Sequence, residues 1–528
     1  MKATDYDRVG MRSGRFLNLL LMLVWLCIGG NLAAQSTGVV EIDLLEKGTE
    51  TPLISRVRIL DEKGRGLRAR GAKAFEFGWN LIESPIVFRG RPGPYRYEVF
   101  NGPEYSRGIG DFVLDKRSEG LDVLRIPRHA DLKQEGYVAG DLAAYLPGPR
   151  LLPWLAAERL AVAVQLQTTP LDAAAGWRAT RPGQSQADAA QSGVWVEQAS
   201  YLDGRPSSGL ALHHWSPPSE VPAKVSSTRL LVMAKNAAED SVFGSQDGLR
   251  VHAEVARPWA QDLPIWLASG KVDSIRILGE HLTIDGKGQQ KLEPIVSLGE
   301  GRFFGALKDG RSVEALYWKI LEAGFRIPPS AGSGFGKRPS PLGYNRVYAM
   351  PASEGVAAWW QALTNGHSFV TNGPLLRATV NGQIPGHVFN LSESGELDLE
   401  VALTLTVSDP VDYLDVIFNG QQLYQARLDE YAKQGGKIPT LTVKESGWLI
   451  VRVVTGREDT YRLAFTAPFY FEVGGQERIS RSSVEFFQQW LGQAKDRIAS
   501  SAQAADAGVY IQAAEKFWQK RLESATVD

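Results

Sequence analysis

Seven histidines carry most of the chemistry this chain offers: His129, His213, His214, His252, His281, His367 and His387. His252 is followed two residues later by Glu254. On a strand, residues i and i+2 share a face, so the imidazole and the carboxylate can converge. Such a pair suits part of a metal centre, a carboxylate that orients an imidazole, or a plain surface ion pair. His213 and His214 are adjacent, and neighbours on a strand point to opposite faces. No His-x-His, His-Glu-x-x-His or Gly-x-Ser-x-Gly run is present. The glycine-rich stretch 332–337 only superficially looks like a phosphate loop. Ala331 stands where its first glycine is required, and Arg338 replaces the Ser/Thr that binds magnesium.

The elements that must position these groups sit in a chain of 528 residues, enough for three or four domains. Hydrophobic residues make up 44% and charged residues 22%, which suits packed cores and excludes wholesale disorder. Net charge is −1, so no global field attracts nucleic acid, and none is expected as a partner. Arg12 and Arg15 precede an apolar run at 16–28, and small residues follow up to Ala34. This reads as an export signal over residues 1–34, with a periplasmic or extracellular destination and no membrane span after cleavage. Cys27 leaves with that signal, so disulfides, thiolate zinc sites and cysteine nucleophiles are excluded from the mature chain. Any metal must then be held by His, Asp or Glu.

Residues 35–130 alternate as short strands with Pro/Gly turns, the pattern of a β-sandwich. From 131 to 389 helical stretches alternate with short apolar strands, which implies an α/β layer or barrel. The Ala/Gln/Ser-rich stretch 178–193 reads as a surface loop. Residues 390–478 return to β, with Asn419-Gly420 marking a hairpin turn. Residues 479–528 read as a helical tail. One apolar face carries Val484, Phe487 and Leu491, and a second carries Tyr510, Ala513 and Phe517. These faces suit packing on the body rather than capture of a partner. Trp177, Trp195 and Trp215 look exposed enough for an aromatic platform that holds carbohydrate.

Several strings together resemble one family. Gly136-Tyr-Val-Ala-Gly-Asp-Leu-Ala-Ala-Tyr145 is similar to the Gly-Trp-Tyr-x-Gly-Asp-Leu-His-x-His signature of CehA/McbA-type metallohydrolases, of the PHP superfamily. Pro264-Ile-Trp-Leu-Ala-Ser-Gly-Lys-Val-Asp-Ser-Ile275, Gly324-Phe-Arg-Ile-Pro-Pro-Ser-Ala-Gly-Ser333, Gly343-Tyr-Asn-Arg-Val-Tyr348 and Phe369-Val-Thr-Asn-Gly-Pro-Leu-Leu376 extend the resemblance over most of 40–490. It implies a secreted branch with a distorted β/α barrel between two β domains. It also implies a centre of two or three divalent metals (Zn, Mn or Fe) that activates water to hydrolyse phosphoester, carbamate or ester bonds.

The ligand positions depart from the family. Its two signature histidines fall at Ala143 and Tyr145, and its late Gly-Ser-Asp-x-His string falls on 332–336, without Asp or His. Asp141, His252, Glu254 and His281 are what is left. Asp141 and Glu254 are the candidate catalytic carboxylates, and His252 and His281 the candidate metal ligands. The expectation is a non-catalytic descendant that binds a small molecule or a cell-envelope component. The alternative is a metal-dependent hydrolase with a site rebuilt from those four residues.

Overall fold

The computed structural model describes residues 37–116, 119–168, 194–215, 217, 220–239, 249–298, 303–393 and 395–528. The apolar run 16–28, the 178–193 stretch and Trp177 lie outside them. Among the described residues no helix is long and apolar enough to cross a membrane.

The N-terminal strands form two facing sheets. One orders Ile86–Gly90, Gly38–Glu46 and Glu119–Ile126. The other is built on Ile54–Leu60, Trp79–Glu83 and Gly93–Phe100. Ile42, Leu44, Val57, Ile59 and Val99 come from both sheets and share one apolar core. That shared core is why the alternating strands hide one face and wet the other.

The central layer is mixed α/β. In space its strands run Pro329–Ala331, Ser274–Leu278, His252–Val255, Leu210–His213, Trp195–Leu202, Val162–Gln167, Val138–Ala144 and Arg346–Ala349. Most neighbours are parallel, with Leu210–His213 inserted antiparallel between Trp195–Leu202 and His252–Val255. Helices Gly148–Glu158, Ser227–Glu239, Leu263–Ala268 and Lys308–Glu322 connect them.

The expected closed barrel is not formed. Arg346–Ala349 pairs antiparallel along the first half of Val138–Ala144 and occupies the edge that closure would need. Among the described residues, strand pairing across from the far end is reduced to an isolated bridge between Ala144 and Phe335. The Tyr145 amide donates to the Phe335 carbonyl at 2.7 Å, and the Gly334 amide to the Ala143 carbonyl at 2.9 Å.

On the other side the ladder continues without a break. Ser368–Thr371 pairs with Arg346–Ala349 and with Leu463–Thr466, which leads into Gly447–Thr455 and Val411–Phe418. These later strands extend the central sheet, whereas Leu375–Val380 with Val401–Thr406 and Leu397–Leu399 with Leu441–Val443 form two separate two-stranded sheets. Asn419 and Gly420 both take positive φ, 50° and 74°, and close the hairpin onto Gln421–Ala426.

The tail helices Arg481–Ala499 and Ala504–Glu523 lie on the body. Val484, Phe487 and Leu491 are buried as expected. In the second helix the buried stripe is Ala507, Ile511, Ala514 and Trp518, one position beyond the expected Tyr510–Ala513–Phe517 face. The indole of Trp518 decides this register: its Nε1 donates to the Pro264 carbonyl at 2.9 Å inside the core.

Candidate functional site

Asp141 is fully buried near the end of Val138–Ala144. Its carboxylate accepts the amides of Ala143 (3.0 Å), Ser333 (2.9 Å) and Gly343 (2.7 Å). It thereby ties the loop after Pro329–Ala331 to the neighbouring strand. Burial raises its carboxyl above the ordinary range, against the pull of the amides. With its oxygens spent on three amides, Asp141 is a brace between segments.

Ala143 leaves no room for a ligand side chain. A Cβ placed on Gly332 would lie 2.6 Å from the Ala143 methyl, so only glycine lets the two backbones meet. Tyr145 turns its hydroxyl to Glu280, which also accepts Nε–H of Arg338 at 2.8 Å. Burial raises the phenol of Tyr145, and Glu280 adds to the shift, so it stays protonated. Burial also lifts Glu280, yet the donors Tyr145 and Arg338 win and hold it below its usual value.

His252 and Glu254 do share a strand but not a partner. His252 forms hydrogen bonds with Ser274 Oγ (Nε2, 2.8 Å) and Thr364 Oγ1 (Nδ1, 3.2 Å). Burial pushes its pKa well down, and neighbouring His213 pushes the same way. Glu254 is engaged by Arg276, His213 and Ser330. Arg276 donates Nε–H to Oε1 at 3.0 Å and a second N–H to Oε2. His213 donates Nε2–H to Oε2 at 3.0 Å and accepts from Ser200 through Nδ1 at 3.1 Å. Ser330 donates to Oε1. Burial alone would raise the Glu254 carboxyl; the Arg276 guanidinium and the His213 hydrogen bond outweigh it and hold it at about 2.

His281 lies beyond the opposite end of Ser274–Leu278 from His252. That five-residue strand spans roughly 16 Å at about 3.3 Å per residue. The two candidate ligands therefore sit at opposite ends of the sheet. His281 is 1% exposed, neither ring nitrogen has a partner among the described residues, and its ring meets the Trp259 edge at 5.3 Å between centroids. Burial drives its pKa down to about 3.

A divalent metal does not fit this donor set. Asp141, Glu254, Glu280 and His252 are committed to protein hydrogen bonds, and His281 alone keeps free nitrogens. One imidazole is short of the three protein ligands a catalytic zinc takes. Among the described residues no three His, Cys, Asp or Glu side chains converge on a metal position. A positive charge already sits buried between the strands: Arg276, 2% exposed, which also donates to the Leu142 carbonyl at 3.1 Å.

Three residues of this network carry no weight in a motif search: His213, Arg276 and Ser330. A signal for Arg276 is present, through its partner Glu254. Arg276 interrupts the apolar run Ser274-Ile-Arg-Ile-Leu278, and Glu254 interrupts His252-Ala-Glu-Val255. Lone opposite charges in two buried strands require each other.

Of the tryptophans expected as platforms, Trp195 and Trp215 are half-buried. Trp195 and Trp215 pack against the main core, and Trp215 meets Tyr201 edge-on. No family model, no curated protein and no solved structure matches this chain.

Proposed function

We propose that this chain is an exported, non-catalytic binding protein built on a PHP-like scaffold whose metal site has been filled in. One observation carries the reading. The Arg276–Glu254 pair, braced by His213 and Ser330, occupies the interior between the strands where a hydrolase of this kind needs open ligands and a cation. The resemblance of 136–145, 264–275 and 324–348 to CehA/McbA-type sequences supports the scaffold. The sequential strand order from Val138–Ala144 to Pro329–Ala331 is compatible with a distorted barrel that has opened at one edge. The export signal supports a periplasmic or extracellular site of action, on a small molecule or an envelope component.

The test is a hydrolysis panel. The purified mature chain, supplied in turn with zinc, manganese and iron, is assayed on aryl phosphomonoesters, phosphodiesters, carbamates and carboxyl esters. The reading expects no turnover above that of the free ions. Metal-dependent turnover that disappears in His281→Ala would overturn it.

A further inference from the structure

A cavity lies away from the positions where the resemblance expects metal ligands. It encloses about 520 Å³ and is lined by Lys235, Arg250, His252, Asp273, Trp360 and Thr364, among others. Pockets for small organic ligands run from about 300 to 1,000 Å³. His252 opens its strand, and Asp273 immediately precedes Ser274–Leu278. The cavity is thus at the N-terminal ends of these strands, whereas Tyr145 and His281 follow the C-terminal ends of theirs.

The lining has a definite charge. Lys235 is paired with Asp273 and also donates to the Val251 carbonyl at 2.8 Å. That leaves the exposed guanidinium of Arg250 as the surplus, and Arg250 has no ion pair among the described residues. His252 spends both ring nitrogens on Ser274 and Thr364, so it adds no charge. Gln361 and Thr364 lie on the exposed rim. The Thr364 hydroxyl is spent on the Trp360 carbonyl (2.9 Å) and on His252, and the Gln361 amide also donates to Asn365 Oδ1 at 2.8 Å.

The wall is built around one indole. Trp360 is 5% exposed and touches His213, His214 and His252 with ring centroids 5.1, 4.8 and 4.9 Å away. Its Nε1–H is buried and has no acceptor among the described residues. A buried unpaired donor costs about 1–3 kcal/mol, so such groups point to an acceptor supplied from elsewhere.

One surplus cation, the Gln361 amide on the rim and an unpaired indole N–H suit a monoanion that also carries hydroxyl oxygens. A phosphate dianion calls for clustered cations or a row of backbone amides, which this lining does not offer. We infer that this cavity binds a small hydroxylated organic anion of the sugar-acid class, whose carboxylate meets Arg250 and whose hydroxyl oxygen accepts the Trp360 Nε1–H. This rests on reading the chain as a binding protein, and moves its ligand to the opposite end of the sheet from the filled metal site.

Calorimetric titration of the full mature chain with glucuronate tests it, with glucose and inorganic phosphate as parallel arms. Saturable binding of glucuronate is expected, weakened about tenfold or more in Arg250→Ala, with glucose weaker by a similar factor. Trp360→Phe keeps the ring packing, removes the N–H and is expected to weaken binding and abolish any change in tryptophan emission from this site. Phosphate binding tighter than glucuronate, no glucuronate binding, or equal binding by Arg250→Ala would each overturn the proposal. Those failures leave the non-catalytic reading standing, whereas metal-dependent turnover defeats that reading whatever glucuronate does.

Discussion

Arg276 donates its Nε–H to Glu254 Oε1 at 3.0 Å, with both side chains enclosed between adjacent parallel strands. The guanidinium fork meets both carboxylate oxygens, and His213 and Ser330 take up the oxygens' other sides. Such a pair is costly to break and cheaper to replace. Removing one partner strands a buried charge, at about 3–5 kcal/mol. Arg276→Met is therefore expected to lower unfolding free energy by that amount in a denaturant titration. Adding Glu254→Leu to the same chain is expected to recover a large part of it. A double variant no more stable than Arg276→Met would show that the two do not act as a pair.

Acid is expected to unfold this protein from its histidines first. His281 titrates at about 3 in the folded chain against 6.5 unfolded, so between those values only the unfolded form takes up its proton. Its contribution is complete above pH 6.5 and is lost as pH falls towards 3, with a slope of about 1.4 kcal/mol per pH unit. His213 and His252 are lowered too and act in the same direction. Glu254, held at about 2 against 4.5, adds loss below pH 4.5. Asp262 works the other way. Burial raises it to about 6 from 3.8, so stability falls as pH rises through that window. The slope of unfolding free energy between pH 4 and 6 is expected to flatten in His281→Leu. An unchanged slope would mean that His281 is not buried neutral.

Asp141 is expected to behave as a brace. Asp141→Ala leaves three amides without acceptors, each costing about 1–3 kcal/mol if it stays buried. Asp141→Asn keeps one carbonyl oxygen and is expected to cost less. Limited proteolysis is expected to cut the alanine variant within 332–343 faster than the parent, because that loop loses its tie to Val138–Ala144. Equal cutting of parent and variant would contradict the assignment.

Much of the layer order was legible because periodicity reports burial. The runs at 151–166, 265–278 and 313–324 fall on helix and strand as their spacing implies, and Asn419-Gly420 turns where its φ values require. Closure was not legible. Whether Val138–Ala144 meets the strand after 329 or Arg346–Ala349 depends on a long-range pairing that no local pattern records. The register of the last helix failed for a related reason: Tyr510, Ala513 and Phe517 share the helical spacing of Ile511, Ala514 and Trp518, and the buried hydrogen bond from Trp518 to the Pro264 carbonyl favours the second face. At the site, His252 and Glu254 were found by spacing. Their true partners, Ser274 and Arg276, lie about 20 residues on and become neighbours only through the parallel ladder.

The central claim is that Arg276, not a metal ion, supplies the cation between these strands. Elemental analysis of the mature chain after incubation with zinc, manganese and iron and exhaustive dialysis, read together with thermal unfolding in chelator, tests it directly. The account predicts metal far below stoichiometric and a Tm unchanged by chelator. Near-stoichiometric metal that stabilises the fold and is lost in His281→Ala would contradict it.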